Sequence, residues 1–286
     1  MPHPHLLSSV VVGIDSSDAA IAAAVWATDE AIARNVPLRL IHAADVAAAH
    51  PHGDFRTQIS AAEPLFRAVE TAVAATGKMV KVETAIVGAG PRPGLISESR
   101  SAEMLCVGSV GVRRAGDVLG STAAALANAA FCPLAIICPD VTTAAADGGW
   151  VAVSIDSSPD NDLVINSGFA EAWLRHAPLL ALGTGLPVNG CDQLDRRLVP
   201  WRERYPEVQV RATPAPDGVA EFVSTSPEPI QLAVIGSGQV APLMRGGFQS
   251  TSQHRGYAEV AVGAGRKTRH GEMVVEKQER FVRLIA

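Results

Sequence analysis

At 286 residues, the chain is long enough for two domains of about 150 residues, each with its own core. Hydrophobic residues make up 48% of it, charged residues 19% and aromatics 5%, which excludes a disordered or fibrous chain and points to an aliphatic interior of helices packed over buried sheet. A formal net charge of −5 gives no drive toward nucleic acid or an anionic membrane, and no apolar run reaches the roughly 18 residues of a membrane span.

The elements follow in chain order. The start MPHPHLLSSVVVGID lacks a basic region followed by a cleavable apolar segment. Val10 to Ile14 is a short apolar run between polar residues, the pattern of a strand buried on both faces. Asp18 to Asn35 is Ala-rich with helical spacing of Ala22, Trp26 and Ala33, and Pro37 lies just beyond its end. A second buried strand, Leu38 to Ala43, precedes a helical segment from Ala61 to Thr76. Val80 to Val87 reads as strand, Arg92 to Ser99 as helix, Met104 to Gly108 as strand, Thr122 to Ala130 as helix and Leu134 to Cys138 as strand. Five strands alternating with helices need crossover connections, so the sheet is expected to be mainly parallel and covered on both faces.

The pattern then repeats. VVVGIDSS at Val10 to Ser17 matches VAVSIDSS at Val151 to Ser158 at an offset of 141. The same offset carries Glu30 onto Glu171, Arg34 onto Arg175 and Pro37-Leu38 onto Pro178-Leu179. At an offset of 128, KVE around Val82 falls on QVR around Val210, and LCVGS at Leu105 falls on AVIGS at Ala233. Two copies of one α/β domain are therefore expected in tandem, over residues 1–140 and 149–286, joined by the linker-like CPDVTTAAADGG. The fifth strand of the second copy is expected at Val260 to Val262. Fifth strands at sheet edges suggest edge-to-edge association of the copies as an internal pseudo-dimer, with a homodimer of whole chains.

Ligands of open parallel sheets bind beyond the carboxyl ends of the strands, where the topology switches. After the fourth strand the chain reads GSVGVRRAGDVLGST, with Gly108, Gly111 and Gly120-Ser121-Thr122 lying between a buried strand and an Ala-rich helix. Glycines there let main-chain N–H groups approach an anion, and the helix adds its positive end. Ser121 and Thr122 suit either a cap or a hydroxyl contact to phosphate, and Arg113 and Arg114 sit in the intervening loop. The same spacing also describes a plain Gly-rich turn followed by a helix cap.

VVVGIDSS, LRLIHA and G-x2-G-x8-G-S-T before FCPLAII together resemble the universal stress protein family in its tandem-domain form. The resemblance implies two Rossmann-like domains of the adenine nucleotide alpha hydrolase-like kind, each a five-stranded sheet with helices on both faces. It implies ATP as ligand of the first copy, with Asp15 and Ala43 at the adenosine end beside Gly13 and the main chain of Val107. Gly108 and Gly111 would approach ribose and phosphates, Gly120, Ser121 and Thr122 would hold the phosphate tail, and Arg114 would screen it. Asp15 suits a water-mediated Mg²⁺ contact, a hydrogen bond to the nucleotide or a helix-capping role. Eight residues separate Gly111 from Gly120, one fewer than in the family's usual G-x2-G-x9-G-S/T pattern.

The second copy departs further. Asp156 is retained, but Gly13 is matched by Ser154 and Gly111 by Gln239, and near Gln249-Ser250-Thr251 the hydroxyls survive without the glycine. Side chains at former glycines fill the space a nucleotide needs, so the second copy is expected to pack rather than bind.

Other chemistries lack their residues. No Lys follows the last glycine as a P-loop demands, and Gly88-Ala89-Gly90 opens into the helix-unfriendly Pro91-Arg92-Pro93. Gly236-Ser237-Gly238 is no nucleophile elbow. His3, His5, His50 and His52 have no ligand set at metal spacing, and His42 reads as packed or solvent-facing. The basic stretch GRKTRHGEMVVEKQER reads as a solvated tail. Cys106, Cys132, Cys138 and Cys191 lack CxxC spacing and read as thiols of a reducing compartment, which places the protein in the cytoplasm. The leading expectation is a regulatory, stress-response ATP-binding protein with an unidentified protein partner and at most slow ATP hydrolysis. A scaffold that binds no nucleotide, and an adenylyl-transfer or electron-transfer-flavoprotein enzyme of like fold, are the alternatives.

Overall fold

The computed structural model describes residues 8–44, 55–109, 120–137, 149–185, 191–236, 239 and 282–285. The chain divides into two compact units, Met1–Pro139 and Asp140–Ala286.

The first unit runs β1 (Val10–Ile14), α1 (Asp18–Ala33), β2 (Leu38–Ala43), α2 (Phe55–Ala75), β3 (Val82–Val87), α3 (Pro91–Glu98), β4 (Met104–Gly108), α4 (Ser121–Ala129) and β5 (Leu134–Ile137). Its strand order is β3-β2-β1-β4-β5, with every pairing parallel. The strands read as apolar runs because both faces are covered, and all four residues of β5 are buried. Pro91 and Pro93, taken from the sequence as hostile to a helix, instead open α3. Pro91 stands in the first turn, where its missing N–H has no intrahelical partner to lose.

The second unit runs β6 (Trp150–Ile155), α5 (Asn161–Leu174), β7 (Leu179–Thr184), α6 (Cys191–Arg204), β8 (Val210–Ala215), α7 (Val219–Thr225), β9 (Ile230–Ile235) and β10 (Val282–Ile285). Its order is β10-β9-β6-β7-β8. Four strands are parallel as expected, whereas β10 pairs antiparallel with β9, through Val282 opposite Ile235 and Leu284 opposite Ala233. The expected strand at Val260 to Val262 lies outside the described residues.

The duplication is visible in local chemistry. Both α1 and α5 end with a residue in the left-handed region, Asn35 at φ 53° and His176 at φ 50°. In each, the next N–H reaches back to close the helix, Val36 to the Ala31 carbonyl at 3.0 Å and Ala177 to the Ala172 carbonyl at 2.9 Å. This is the Schellman arrangement, built twice. One turn earlier, Glu30 and Glu171 are both buried and both bind the Arg four residues on, Arg34 and Arg175. The buried face of α1 is mostly alanine, including Ala19, Ala20, Ala23, Ala24, Ala27 and Ala31. So narrow a face lets the helix axis lie close to the strands, and Gly168 does the same for α5, where a Cβ would stand 2.7 Å from Val153.

Among the described residues no helix is long and apolar enough to cross a membrane, and no disulfide joins Cys106, Cys132 and Cys191 to one another; Cys138 lies outside them.

Candidate functional site

In the first unit, β1 has β2 on one side and β4 on the other, so the chain leaves β1 and β4 in opposite senses and a crevice opens between their carboxyl ends. Three turns line it: Ile14 to Ser17 after β1, Ala43 and Ala44 after β2, and Gly108-Ser109 after β4.

The β1 turn is self-contained. Asp15 accepts through Oδ1 from the Ser17 main-chain N–H at 2.9 Å and from the Ser17 hydroxyl. Ser17 Oγ in turn accepts from the Ala20 N–H at 3.2 Å, which caps α1. Asp15 thereby holds Ser17, the residue that caps α1. The Ser17 hydroxyl is the part of this turn that sequence reasoning passed over. Replacing Ser17 by Ala removes the cap and should cost about 1 kcal/mol, read as a lower urea midpoint for the first unit.

The α4 end is built differently. Its N-cap is Gly120, at φ −65° and ψ 154°, with no side-chain hydrogen bond to the first turn. The first-turn donors of this helix are therefore not satisfied by a cap side chain as those of α1 are. The Gly120 N–H donates to the Ser109 carbonyl at 2.6 Å, while the Ser109 N–H donates to the Ile137 carbonyl at 2.7 Å. These two bonds draw the end of β4 and the start of α4 together, so Gly108, Ser109, Gly120, Ser121 and Thr122 form one continuous rim. Ser109, which is 1% exposed, is the hinge of that rim and had no sequence signal beyond its place after a buried strand.

The glycines at the strand ends have packing reasons of their own. A Cβ on Gly108 would lie 2.6 Å from the Ala19 Cβ and 2.8 Å from the Ala19 carbonyl carbon, so α1 rests directly on the end of β4. A Cβ on Gly13 would lie 2.8 Å from a methyl of Leu95 on α3 and 3.2 Å from Val107. Ala43 sits against Gly94 of α3, and His42 Nδ1 lies 3.2 Å from the Ile14 carbonyl, tying the second strand's end to the first. The structure thus brings together Gly13, Asp15, Ala43, Val107, Gly108, Gly120, Ser121 and Thr122. Gly111, Arg113 and Arg114 lie outside the described residues. Among the described residues no group of three His, Cys, Asp or Glu side chains is placed to hold a metal ion.

The corresponding crevice of the second unit is filled with polar side chains. Gln239, aligned with Gly111, donates through Nε2 to Asp156 Oδ2 at 2.7 Å and to Thr184 Oγ1 at 3.1 Å. Asp156 accepts from the Ser158 N–H at 2.8 Å, as Asp15 does from Ser17. Arg197, on α6, donates to the Asp156 carbonyl and to Asp162 at 3.2 Å. Thr184, Arg197 and Asn161 were not singled out from sequence; the alignment of Thr184 with Ala43 was the available signal.

Comparison with known proteins agrees with this architecture. The model of the Universal stress protein family matches residues 7–137. Universal stress protein Rv2624c of Mycobacterium tuberculosis is 42% identical over 245 residues, spanning 84% of this chain and 89% of that one. Universal stress protein Rv3134c of the same organism is 38% identical over 247 residues, spanning 83% and 91%. Among solved structures, a universal stress protein from Archaeoglobus fulgidus superposes with a TM-score of 0.56 over 72% of this chain and 77% of that one, at 15% identity, a likeness of fold. Identity of this extent across both copies, on the doubly covered parallel sheet just described, shows that the chain belongs to the universal stress protein family.

Proposed function

We propose that the first unit binds ATP in the crevice between β1 and β4, and that the protein is a nucleotide-responsive regulator rather than an enzyme. The observation that carries this reading is the rim made by the Gly120-to-Ser109 hydrogen bond. It sets a helix start without a cap side chain beside the end of β4. Such a rim offers main-chain donors and the positive end of α4 to an anion. Asp15, Ala43, Gly13 and the Val107 main chain border the other end of the crevice, where an adenosine would lie. Gly111 and Arg114 belong to the same proposal, as does Mg²⁺ accompanying the phosphates.

Slow turnover follows from the same side chains. Asp15, the carboxylate of this crevice among the described residues, already holds Ser17 through Oδ1, and phosphoryl transfer needs a positioned water or base together with charge-stabilising groups. Occupancy of the crevice would instead change the surface around the rim that a partner protein reads.

The test is to denature the purified full-length chain and quantify released nucleotide by chromatography. One equivalent of ATP or ADP per chain is expected. A chain that releases none, and takes up none when ATP is added at millimolar concentration, overturns the reading.

A further inference from the structure

Gln239 stands where the first copy has glycine, and its amide does more than occupy volume. It reaches across the ends of β6 and β7 and bonds Asp156 and Thr184, the positions matched in the first unit by Asp15 and Ala43. Those two positions border the adenosine end of the crevice in the function proposed above, on which this inference rests. The amide thus presents to Asp156 a hydrogen-bond donor, as the N–H of an adenine amino group or the O–H of a ribose would. We propose that Gln239 is the specificity-determining residue that separates the two copies: an internal stand-in for a nucleoside that keeps the second crevice closed.

One further observation supports a plug rather than a structural brace. Gln239 Oε1 is buried and has no hydrogen-bond partner among the described residues. A side chain kept for stability would be expected to satisfy both ends of its amide, because a buried acceptor left unpaired costs free energy. The reverse orientation of the amide would aim Oε1 at the Asp156 carboxylate, so the contact to Asp156 fixes which end is left over.

The experiment uses the full-length chain labelled with ¹⁵N and titrated with AMP, read at the main-chain amides of Asp156 and Thr184. In the unchanged protein these signals should stay in place. In Gln239→Gly they should move with saturating behaviour, reporting at least a tenfold gain in affinity at that crevice, and Gln239→Gly combined with Asp156→Ala should abolish the movement. Gln239→Ala, which removes the amide and keeps a Cβ, carries the same expectation if the glycine variant does not fold. Signals of Asp156 and Thr184 that move in the unchanged protein overturn the inference, as does their failure to move in a folded Gln239 variant. Failure of the first-unit reading shows elsewhere, as unmoved amides at Ser109 and Gly120, so the two outcomes are separable.

Discussion

Gly120→Asp should weaken nucleotide binding at least tenfold while leaving the first unit as stable as before. Gly120 already has an extended conformation, φ −65° and ψ 154°, that any residue adopts, so the substitution introduces no backbone strain. Asp is among the best N-cap residues, and relative to Gly it changes helix stability by only a few tenths of a kcal/mol. Its carboxylate would accept from the N–H of Thr122 or Ala123, the donors proposed for phosphate, and would place a negative charge at the same spot. Each charge-assisted hydrogen bond lost is worth about 1.5–3 kcal/mol, so the dissociation constant for ATP should rise by about tenfold to a hundredfold or more, measured by equilibrium dialysis beside a urea titration. Undiminished binding by the folded variant would sink the assignment of phosphate to the α4 rim.

Gly108→Ala should be the more damaging change to the fold. The new methyl would meet the backbone of α1, 2.8 Å from the Ala19 carbonyl carbon as well as 2.6 Å from its Cβ. A flexible side chain could turn aside, but a helix backbone moves as a body. Overpacking of this kind costs about 1–3 kcal/mol, and the upper end is expected here because α1 also carries the Ser17 cap and the Asp15 turn. Two units need not unfold as one, so the effect is best read locally. Amide hydrogen exchange across β1 and β4 should accelerate by roughly a hundredfold, with β6 and β7 unchanged. Exchange in β4 that matches the unchanged protein would show that α1 has room to retreat.

These two glycines mark where sequence reasoning succeeds and where it stops. Both were legible as a Gly-rich connection between a buried strand and a helix, because strands covered on both faces show as apolar runs and glycines punctuate them. Their separate duties were not legible. Gly108 is required by the approach of Ala19, a contact 89 residues away along the chain, and no local pattern encodes it. Gly120 by its angles could be another residue, and what sets it apart is an N-cap without a side chain. The offset of 141 residues correctly set Glu171, Arg175 and the β6 to β7 region on their first-copy counterparts, since each repeats a buried contact. It could not reveal the antiparallel entry of β10, because an edge strand buried by a sheet partner has the same apolar pattern in either direction. The Gln239 substitution was seen as added volume, and its hydrogen bonds depend on Asp156 and Thr184, which only the fold brings within its reach.

The bond from the Gly120 N–H to the Ser109 carbonyl also bears on the one-residue shortening of the motif. It closes a ring around residues 110–119, fixing the two feet of that segment irrespective of what spans them. Loop-closure entropy varies with the logarithm of length, so ten intervening residues in place of eleven change the closure free energy by only about 0.1 kcal/mol. The bond thus holds Ser109 and the start of α4 at one separation whichever length of chain joins them.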